Sequence, residues 1–116
     1  MPRASTTSDV FNAIAEPRRR QIIELLSRRP GLAVGAIVLT LGLAQPAVSK
    51  HLGVLRKVGI VSVKKQGKSR VYDLNPEQLR PVYDWVNRIE EHWERQLDRV
   101  RARAEQRARS QSTTPD

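Results

Sequence analysis

The chain has 116 residues, of which 39% are hydrophobic, and its 21 Lys and Arg residues outnumber 12 Asp and Glu residues to give a formal charge of +9. This length favours one domain with a modest core, and the absence of cysteine excludes disulfides, thiolate metal ligands and cysteine nucleophiles. No apolar run approaches the roughly 18 residues of a membrane span, and the opening MPRASTTSD lacks a signal-peptide core, so we expect a cytoplasmic protein that does not bind membranes.

The excess positive charge is confined to the first part of the chain. Residues 1–75 contain 13 Lys and Arg against 4 Asp and Glu, whereas residues 76–116 contain eight of each. This asymmetry predicts a module that faces a polyanion, followed by a neutral segment with a different role. A basic surface that is merely solvated is the alternative that composition leaves open.

Two helices are predicted after a disordered N-terminal tail over residues 1–7. Ser8 or Asp9 can cap a short first helix, and Pro17 suits the first position of a second helix, which extends to about Arg28. The second helix begins with three arginines, Arg18 to Arg20, which oppose the helix dipole. Such a run is usually solvated, although a nearby phosphate would also stabilise it.

The next two helices follow each other closely. A short third helix, about Val34 to Leu41, is predicted to end at Gly42, and a fourth helix is predicted from about Gln45 to Val58, with Gly59 as its stop. Two short helices joined by a tight turn with glycine are typical of a helix-turn-helix.

The fourth helix has two different faces when its residues are placed about 100° apart. Ala47, Val48 and Leu52 belong to the broad apolar arc, together with Leu55 at the next turn, and His51 points into this arc, so we interpret it first as a packed residue. The opposite face is small and polar at its start and basic at its end. It contains Gln45, Pro46, Ser49, Lys50, Gly53, Arg56 and Lys57.

A β-hairpin follows, with predicted strands over Ile60 to Lys65 and Ser69 to Leu74. The three residues Gln66-Gly67-Lys68 are predicted to connect them. Four cations crowd this hairpin and repel one another unless an anion accompanies them. They are Lys64, Lys65, Lys68 and Arg70.

A long last helix is predicted over residues 76–109, with Asn75 as a side-chain cap, Gln78 completing a capping box and a disordered tail over residues 110–116. Its apolar residues recur at steps of three and four, close to a heptad seam, and this indicates a dimer interface. They are Val82, Val86, Ile89, Trp93, Leu97, Val100 and Ala104. Packing at this seam is the common role for Tyr83, Trp85 and Trp93, and a pocket for an unknown small-molecule effector is the alternative.

No catalytic motif is present, so an enzyme is not expected. His51 and His92 lie far apart, and the sequence has no HExxH, P-loop, GxGxxG or GxSxG pattern. We therefore predict no catalytic residues, no metal site and no cofactor.

The stretches VFNAIAEPRRRQIIELL, LGLAQPAVSKHLGVLRKVGIV and KKQGKSRVYDL resemble the ArsR family of bacterial transcriptional repressors over about residues 9–97. The resemblance implies a mainly α fold with a small β-hairpin, a winged helix-turn-helix of order α-α-α-α-β-β-α. Its DNA-binding core would extend over residues 8–75 and its dimerisation helix over residues 76–109. It also implies a homodimer through the first and last helices, bound to double-stranded DNA at a palindromic operator, which represses by occluding the promoter. The interface residues would then be Val10, Phe11, Ile14, Val82, Val86, Ile89, Trp93, Leu97 and Val100.

The family places the fourth helix in the major groove and the hairpin wing against the DNA backbone. Carried over to this chain, the base-reading residues would be Gln45, Pro46, Ala47, Ser49 and Lys50. The backbone-contacting residues would be Arg56, Lys57, Lys64, Lys65, Lys68, Ser69 and Arg70. A sequence-indifferent architectural protein and a winged helix used for protein contacts are the alternatives.

Two positions depart from the family pattern. The third helix, VGAIVLTLG, lacks the cysteine pair of metal-sensing members, which indicates the metal-independent branch. Ala44 stands where a capping serine is common, and loss of such a cap costs about 1 kcal/mol. We hypothesise that a DNA phosphate supplies the missing acceptor.

Overall fold

In the computed structural model, which describes residues 6–112, five helices and one two-stranded antiparallel hairpin confirm the predicted fold class. The elements are α1 (Thr7–Ile14), α2 (Pro17–Arg28), α3 (Val34–Leu41), α4 (Gln45–Val58), β1 (Val61–Gln66), β2 (Ser69–Leu74) and α5 (Arg80–Ser112). Of the tails predicted to be disordered, residues 6 and 7 cap and begin α1 and residues 110–112 belong to α5, while residues 1–5 and 113–116 lie outside the described part.

The first helix begins earlier than predicted because Thr6, and not Ser8 or Asp9, is its cap. The Asp9 backbone N–H donates to Thr6 Oγ1 at 3.2 Å, and the Thr6 N–H donates to Asp9 Oδ2 at 3.0 Å. This reciprocal pair is a capping box in which aspartate takes the place of the usual glutamate. Helix α2 starts at Pro17 as predicted, with a Glu16 carboxylate oxygen accepting from the Arg18 N–H at 3.1 Å.

The core combines apolar residues from α1, α2, α3, α4 and β1. Its largest fully buried side chains include Ile22, Leu26, Ile37, Leu52 and Leu55. Full burial of an aliphatic side chain of this size stabilises a fold by about 1.5–3 kcal/mol. Since two of these five residues belong to α4, the core fixes the orientation of that helix.

The hairpin is more tightly connected than predicted. Residue Gln66 pairs with Ser69, so the loop has two residues, Gly67 and Lys68, instead of three. Gly67 adopts a φ of 64°, the positive value that the first central position of a type II′ turn requires. An isolated bridge joins Tyr72 to Leu32, with the Tyr72 N–H donating to the Leu32 carbonyl at 2.8 Å, and attaches the hairpin to the loop before α3.

The predicted cap of the last helix is wrong. Asn75 makes no side-chain cap; its amide donates instead to the Gly59 carbonyl at 2.9 Å and so links the end of β2 to the end of α4. A short 3-10 turn, Pro76–Leu79, precedes α5, which begins at Arg80.

The described chain divides into two compact units, residues 6–82 and residues 83–112. The first contains the four short helices and the hairpin, and the second is the greater part of α5. None of the helices within residues 6–112 combines the length and apolar character that a membrane span requires.

Candidate nucleic-acid interface

Helix α4 presents most of the predicted reading residues on its solvent face. Val48, Leu52 and Leu55 anchor the helix, and none of them is more than 1% exposed. Ala47 is half-buried, at the margin between the two faces. The other four predicted base-reading residues are exposed: Gln45, Pro46, Ser49 and Lys50.

The turn between α3 and α4 is short because of one glycine. Gly42 ends α3 with a φ of 66°, and its N–H donates to the Val38 carbonyl at 2.9 Å. This left-handed conformation closes α3, so that only Leu43 and Ala44 separate the two helices. The predicted helix-turn-helix is thus present with the predicted bounds of both helices.

The start of α4 lacks a side-chain cap, as the sequence predicts from Ala44. Pro46 has no N–H, and the first backbone bond runs from the Val48 N–H to the Ala44 carbonyl at 3.1 Å. Within the described residues, no side chain caps the N–H groups of Gln45 and Ala47. These donors and the positive end of the helix dipole favour an anion at this place.

The hairpin holds two cations directly opposite each other. Lys65 pairs with Arg70 in the register, and both side chains are exposed. Like charges at such paired positions destabilise a sheet. Lys64 is different, since its Nζ lies 3.6 Å from Asp73 Oδ2. This ion pair contributes little, since the Lys64 side chain is 67% exposed. An external anion would stabilise the Lys65–Arg70 pair.

The hairpin cations meet the far end of α4 at an open cleft of about 250 Å³. The cleft is lined by Val63 and by four cationic side chains: Arg56 of α4 and Lys64, Lys65 and Arg70 of the hairpin. We call this site the cationic cleft. Its cations come from two elements that lie several residues apart in the sequence, and the packing of the hairpin against α4 brings them together.

The three other predicted backbone-contacting residues are exposed but do not line the cationic cleft. Lys57 lies in the last turn of α4, Lys68 in the hairpin loop and Ser69 at the first position of β2. They extend the polar surface beyond the cleft at both the helix and the hairpin.

Two of the three arginines at the start of α2 have an internal role that sequence reasoning missed. Arg19 donates to the Ala13 carbonyl at 2.6 Å and to the Asn12 carbonyl at 3.2 Å. Arg20 donates to the carbonyls of Ile14 and Ala15, at 2.8 and 3.1 Å. These guanidinium groups satisfy the last carbonyls of α1 and complement the negative end of its dipole. Neither a phosphate nor simple solvation is needed to explain them.

His51 lies beneath the exposed face of α4, half-buried as the sequence predicts. Its Nδ1 is buried and has no hydrogen-bond partner within the described residues. Burial lowers the pKa of His51 first, and the charge of Arg19 lowers it further, while Glu16 opposes both effects. The neutral imidazole is therefore the form that this position favours.

The predicted dimer residues occupy different environments. In the first unit, Val10 is only 3% exposed and belongs to the core, so little of its side chain remains for a partner. Ile14 and Val82 are half-buried against that core, and Phe11 is half-buried. In the second unit, Leu97 is half-buried, whereas the remaining four residues are exposed: Val86, Ile89, Trp93 and Val100.

No group of three or more His, Asp or Glu side chains within residues 6–112 is arranged to hold a metal ion.

Comparison with known proteins identifies the same part of the chain. Residues 16–63, from the α1–α2 corner into β1, match the sequence profile of a family described as bacterial regulatory protein, arsR family. An HTH-type transcriptional regulator of Mycobacterium tuberculosis is 38% identical over 75% of this chain and 78% of its own length. The arsenical resistance operon repressor of Escherichia coli is 33% identical over 80% of this chain and 77% of its own length.

Solved structures show the same likeness. An ArsR-like transcriptional regulator from Rhodococcus sp. RHA1 superposes with a TM-score of 0.64 at 26% sequence identity. The superposition covers 84% of this chain and 92% of the other. The superposed part is therefore longer than residues 16–63.

Proposed function

Because the chain belongs to the arsR family of bacterial regulatory proteins and is a DNA-binding transcription regulator, not an enzyme, we propose that it acts as a homodimeric repressor on a palindromic operator. In this proposal each α4 enters the major groove of one half-site, and each hairpin lies along the adjacent backbone. Repression follows because the bound dimer occludes the promoter. The Escherichia coli relative that is named as an operon repressor supports this direction of regulation.

The observation that carries the proposal is the arrangement of α4 and the hairpin. The exposed start of α4 is rigid and nearly neutral, with Lys50 as its cation, while four cations surround the cleft at its far end. Phosphate contacts fix the position of a protein on a duplex, and base-edge contacts supply sequence discrimination. The two ends of α4 suit these two tasks respectively.

The residue types at the start of α4 suit base edges in the major groove. Gln45 can form two hydrogen bonds to adenine, and Lys50 can donate to guanine O6 and N7. Ser49 can donate or accept. Pro46 stiffens the first turn without removing a helix hydrogen bond, since that position has no partner within the helix. Ala47, at the margin, leaves room for a close approach of the groove.

Dimerisation is supported by the apolar residues that α5 leaves exposed. Trp93 and Val100 are each 60% exposed in the single chain, an unfavourable environment for large apolar side chains on a helix with otherwise charged surfaces. A homodimer through the terminal helices would bury these side chains. It would also place two recognition helices about 34 Å apart, one turn of DNA.

Regulation of the repressor is proposed to be independent of metal ions. The third helix contains no cysteine, histidine or carboxylate in the segment VGAIVLTLG, so it offers none of the side chains that transition metals prefer. A small-molecule effector of unknown identity remains compatible with the aromatic residues of α5.

Selection of bound duplexes from a random pool tests the proposal. We expect an enriched palindrome whose half-sites lie one DNA turn apart, and at least about 1,000-fold preference over random duplex at moderate salt. No enrichment with tight binding would indicate the architectural alternative, and no binding would favour the protein-interaction alternative. Transcription in vitro from a promoter that overlaps the selected site should fall as the protein is added.

A further inference from the structure

Helix α4 has a glycine in its interior that the fold of the chain does not explain. Gly53 is exposed and lacks the positive φ that Gly42 and Gly59 adopt at the ends of helices. A Cβ atom built on Gly53 would meet no other atom of the described chain within 4 Å, apart from the adjoining backbone of its own helix. Neither backbone conformation nor packing within the chain therefore requires glycine at this position.

This glycine is unfavourable for folding. Glycine in the interior of a helix loses more conformational freedom on folding than alanine does, which lowers the folding equilibrium constant by about two- to fivefold. Position 53 has open space for the methyl group of an alanine. Since the glycine costs stability and makes no contact within the chain, the reason for it lies in something that approaches the helix from outside.

Gly53 lies at the centre of the surface that is proposed to face DNA. The exposed residues of α4 span an arc of about 140° when residues are placed about 100° apart, and Gly53 lies within about 10° of its centre. They are Gln45, Pro46, Ser49, Lys50, Gly53, Arg56 and Lys57. Residues three and four positions apart are neighbours on the surface of a helix. For Gly53, all four of these neighbours are proposed DNA contacts: Ser49, Lys50, Arg56 and Lys57.

The major groove leaves little room around a helix. An α-helix with its side chains is about 10–12 Å across, whereas the groove is about 12 Å wide and about 8.5 Å deep. The face of α4 that is directed at the groove floor must therefore be short if Ser49 and Lys50 are to reach base edges. Glycine allows the closest approach of a backbone to a ligand.

We propose that Gly53 is a positioning residue for DNA: without a side chain at the centre of the exposed arc, the backbone of α4 lies against the floor of the major groove. This inference rests on the proposed function, and it adds a residue that sets the depth of the helix in the groove. At that depth the base readers reach base edges while the cations at the far end of α4 reach phosphates. A methyl group at position 53 lifts the helix and lengthens the base contacts of Ser49 and Lys50 together.

Gly53→Ala tests the proposal in the full-length chain, because stability and specific binding should change in opposite directions. Chemical denaturation should show a folding equilibrium constant raised by about two- to fivefold. Titration with the duplex selected by the natural chain should show binding weakened by about tenfold, since the methyl group overpacks a close contact. Affinity for random duplex and the log–log salt slope should remain unchanged, because every cation is retained.

The size of the side chain and the pattern of the loss sharpen the test. Gly53→Leu keeps a good helix former at this position, and its operator affinity should fall further than that of Gly53→Ala. Repeating the duplex selection with Gly53→Ala should show weaker preference at every base pair that α4 contacts, whereas loss of one base reader changes one base pair. Operator affinity of Gly53→Ala equal to or greater than that of the natural chain would overturn the proposal.

The matched control is Gly35→Ala in α3. Gly35 is exposed, has no positive φ, and a Cβ atom built on it meets nothing within 4 Å. Alanine should therefore stabilise the free protein here as well, while operator affinity remains that of the natural chain. Equal weakening by Gly35→Ala would show that helix stability, and not the place of Gly53, decides affinity, and would overturn the proposal. A natural chain that prefers no duplex over random DNA would contradict the proposed function itself, and this inference with it.

Discussion

The two ends of α4 differ in almost every physical property, although one helix carries both. Its start is exposed, uncapped and nearly neutral, with Gln45, Ser49 and Lys50 as its polar side chains. Its far end meets the hairpin at the cationic cleft, where Arg56 joins three hairpin cations. The difference shows how a small domain can separate sequence discrimination from overall affinity: a long-range charge attracts any duplex, whereas side chains that reach into the groove discriminate between base edges.

Both ends of α4 are anchored in the same way, because one row of buried residues packs into the core along the whole helix. Val48 lies beneath the start of α4 and Leu55 beneath its far end, and both are fully buried. The two regions can therefore be changed separately at the surface without disturbing their common support. This separation makes the comparison testable by substitution.

The largest effect is expected from the cationic cleft. Lys65→Ala/Arg70→Ala should weaken binding to all duplexes alike and lower the log–log salt slope by about 1.8 per protomer, about 0.9 for each lost phosphate contact. The measurement is affinity for the selected and for random duplexes over a range of salt concentrations. Because Lys65 and Arg70 repel each other across the hairpin, the free protein should not lose stability.

The matched control for this double variant is Arg28→Ala/Arg29→Ala, which removes two exposed cations from the end of α2. An equal fall in the salt slope for the control would mean that net charge, and not the cleft, determines affinity. The distinction between the two regions of α4 would then lose its basis.

A smaller and more selective effect is expected at the start of α4. Lys50→Ala should remove about 1–3 kcal/mol of discrimination at one base pair in each half-site, and the preference elsewhere in the operator should remain. Repeating the duplex selection with this variant measures the change position by position. Uniform weakening for every sequence, as for the cleft variant, would show that Lys50 contacts a phosphate.

Much of the fold was predictable because the residues that begin and end its helices act locally. The bounds of α2, α3 and α4 agree with the sequence-based prediction, since Pro17, Gly42 and Gly59 act on their immediate neighbours. Glycine in a left-handed conformation ends both α3 and α4. Two wrong predictions concern polar side chains with distant partners: Asn75 bonds to Gly59, and Arg19 bonds to the end of α1. The other two, the cap of α1 and the length of the hairpin loop, are shifts of one or two residues.

One part of the candidate site was predictable from local sequence, and another part depends on tertiary packing. The exposed face of α4 follows from helical periodicity alone, and the structure exposes four of the five predicted base-reading residues. The cationic cleft depends on how the hairpin packs against α4, which involves the bridge of Tyr72 to Leu32 and the bond of Asn75 to Gly59. The burial of Val10 in the core likewise depends on tertiary packing, and its position in the first helix alone does not predict it.

The missing cap at the start of α4 gives the next smaller effect. Ala44→Ser should raise the free energy of unfolding of the free protein by about 1 kcal/mol, since serine can accept from the uncapped N–H groups. If a DNA phosphate accepts from these N–H groups in the complex, the serine competes with it, and the variant should bind its operator more weakly than the natural chain does. Chemical denaturation and operator titration provide the two measurements, and unchanged stability would remove the premise of the phosphate cap.

The smallest effect is expected from His51, which lies in the middle of α4, between the two regions. Its pKa in the folded protein is lowered below the ordinary 6.5, by burial first and then by Arg19. Above that pH neither state is protonated, so His51 contributes no pH dependence; below it the unfolded chain binds the proton first, and stability falls as the pH approaches the folded pKa. Denaturation at about pH 7.5 and about pH 5 should therefore show a loss of stability that His51→Gln reduces. The bond from the Arg18 N–H lowers the pKa of the Glu16 carboxyl from 4.5, so the stability that Glu16 contributes is lost mainly as the pH falls below about 4.5, outside this comparison. An identical loss of stability in the His51→Gln variant would show that another group causes the acid sensitivity.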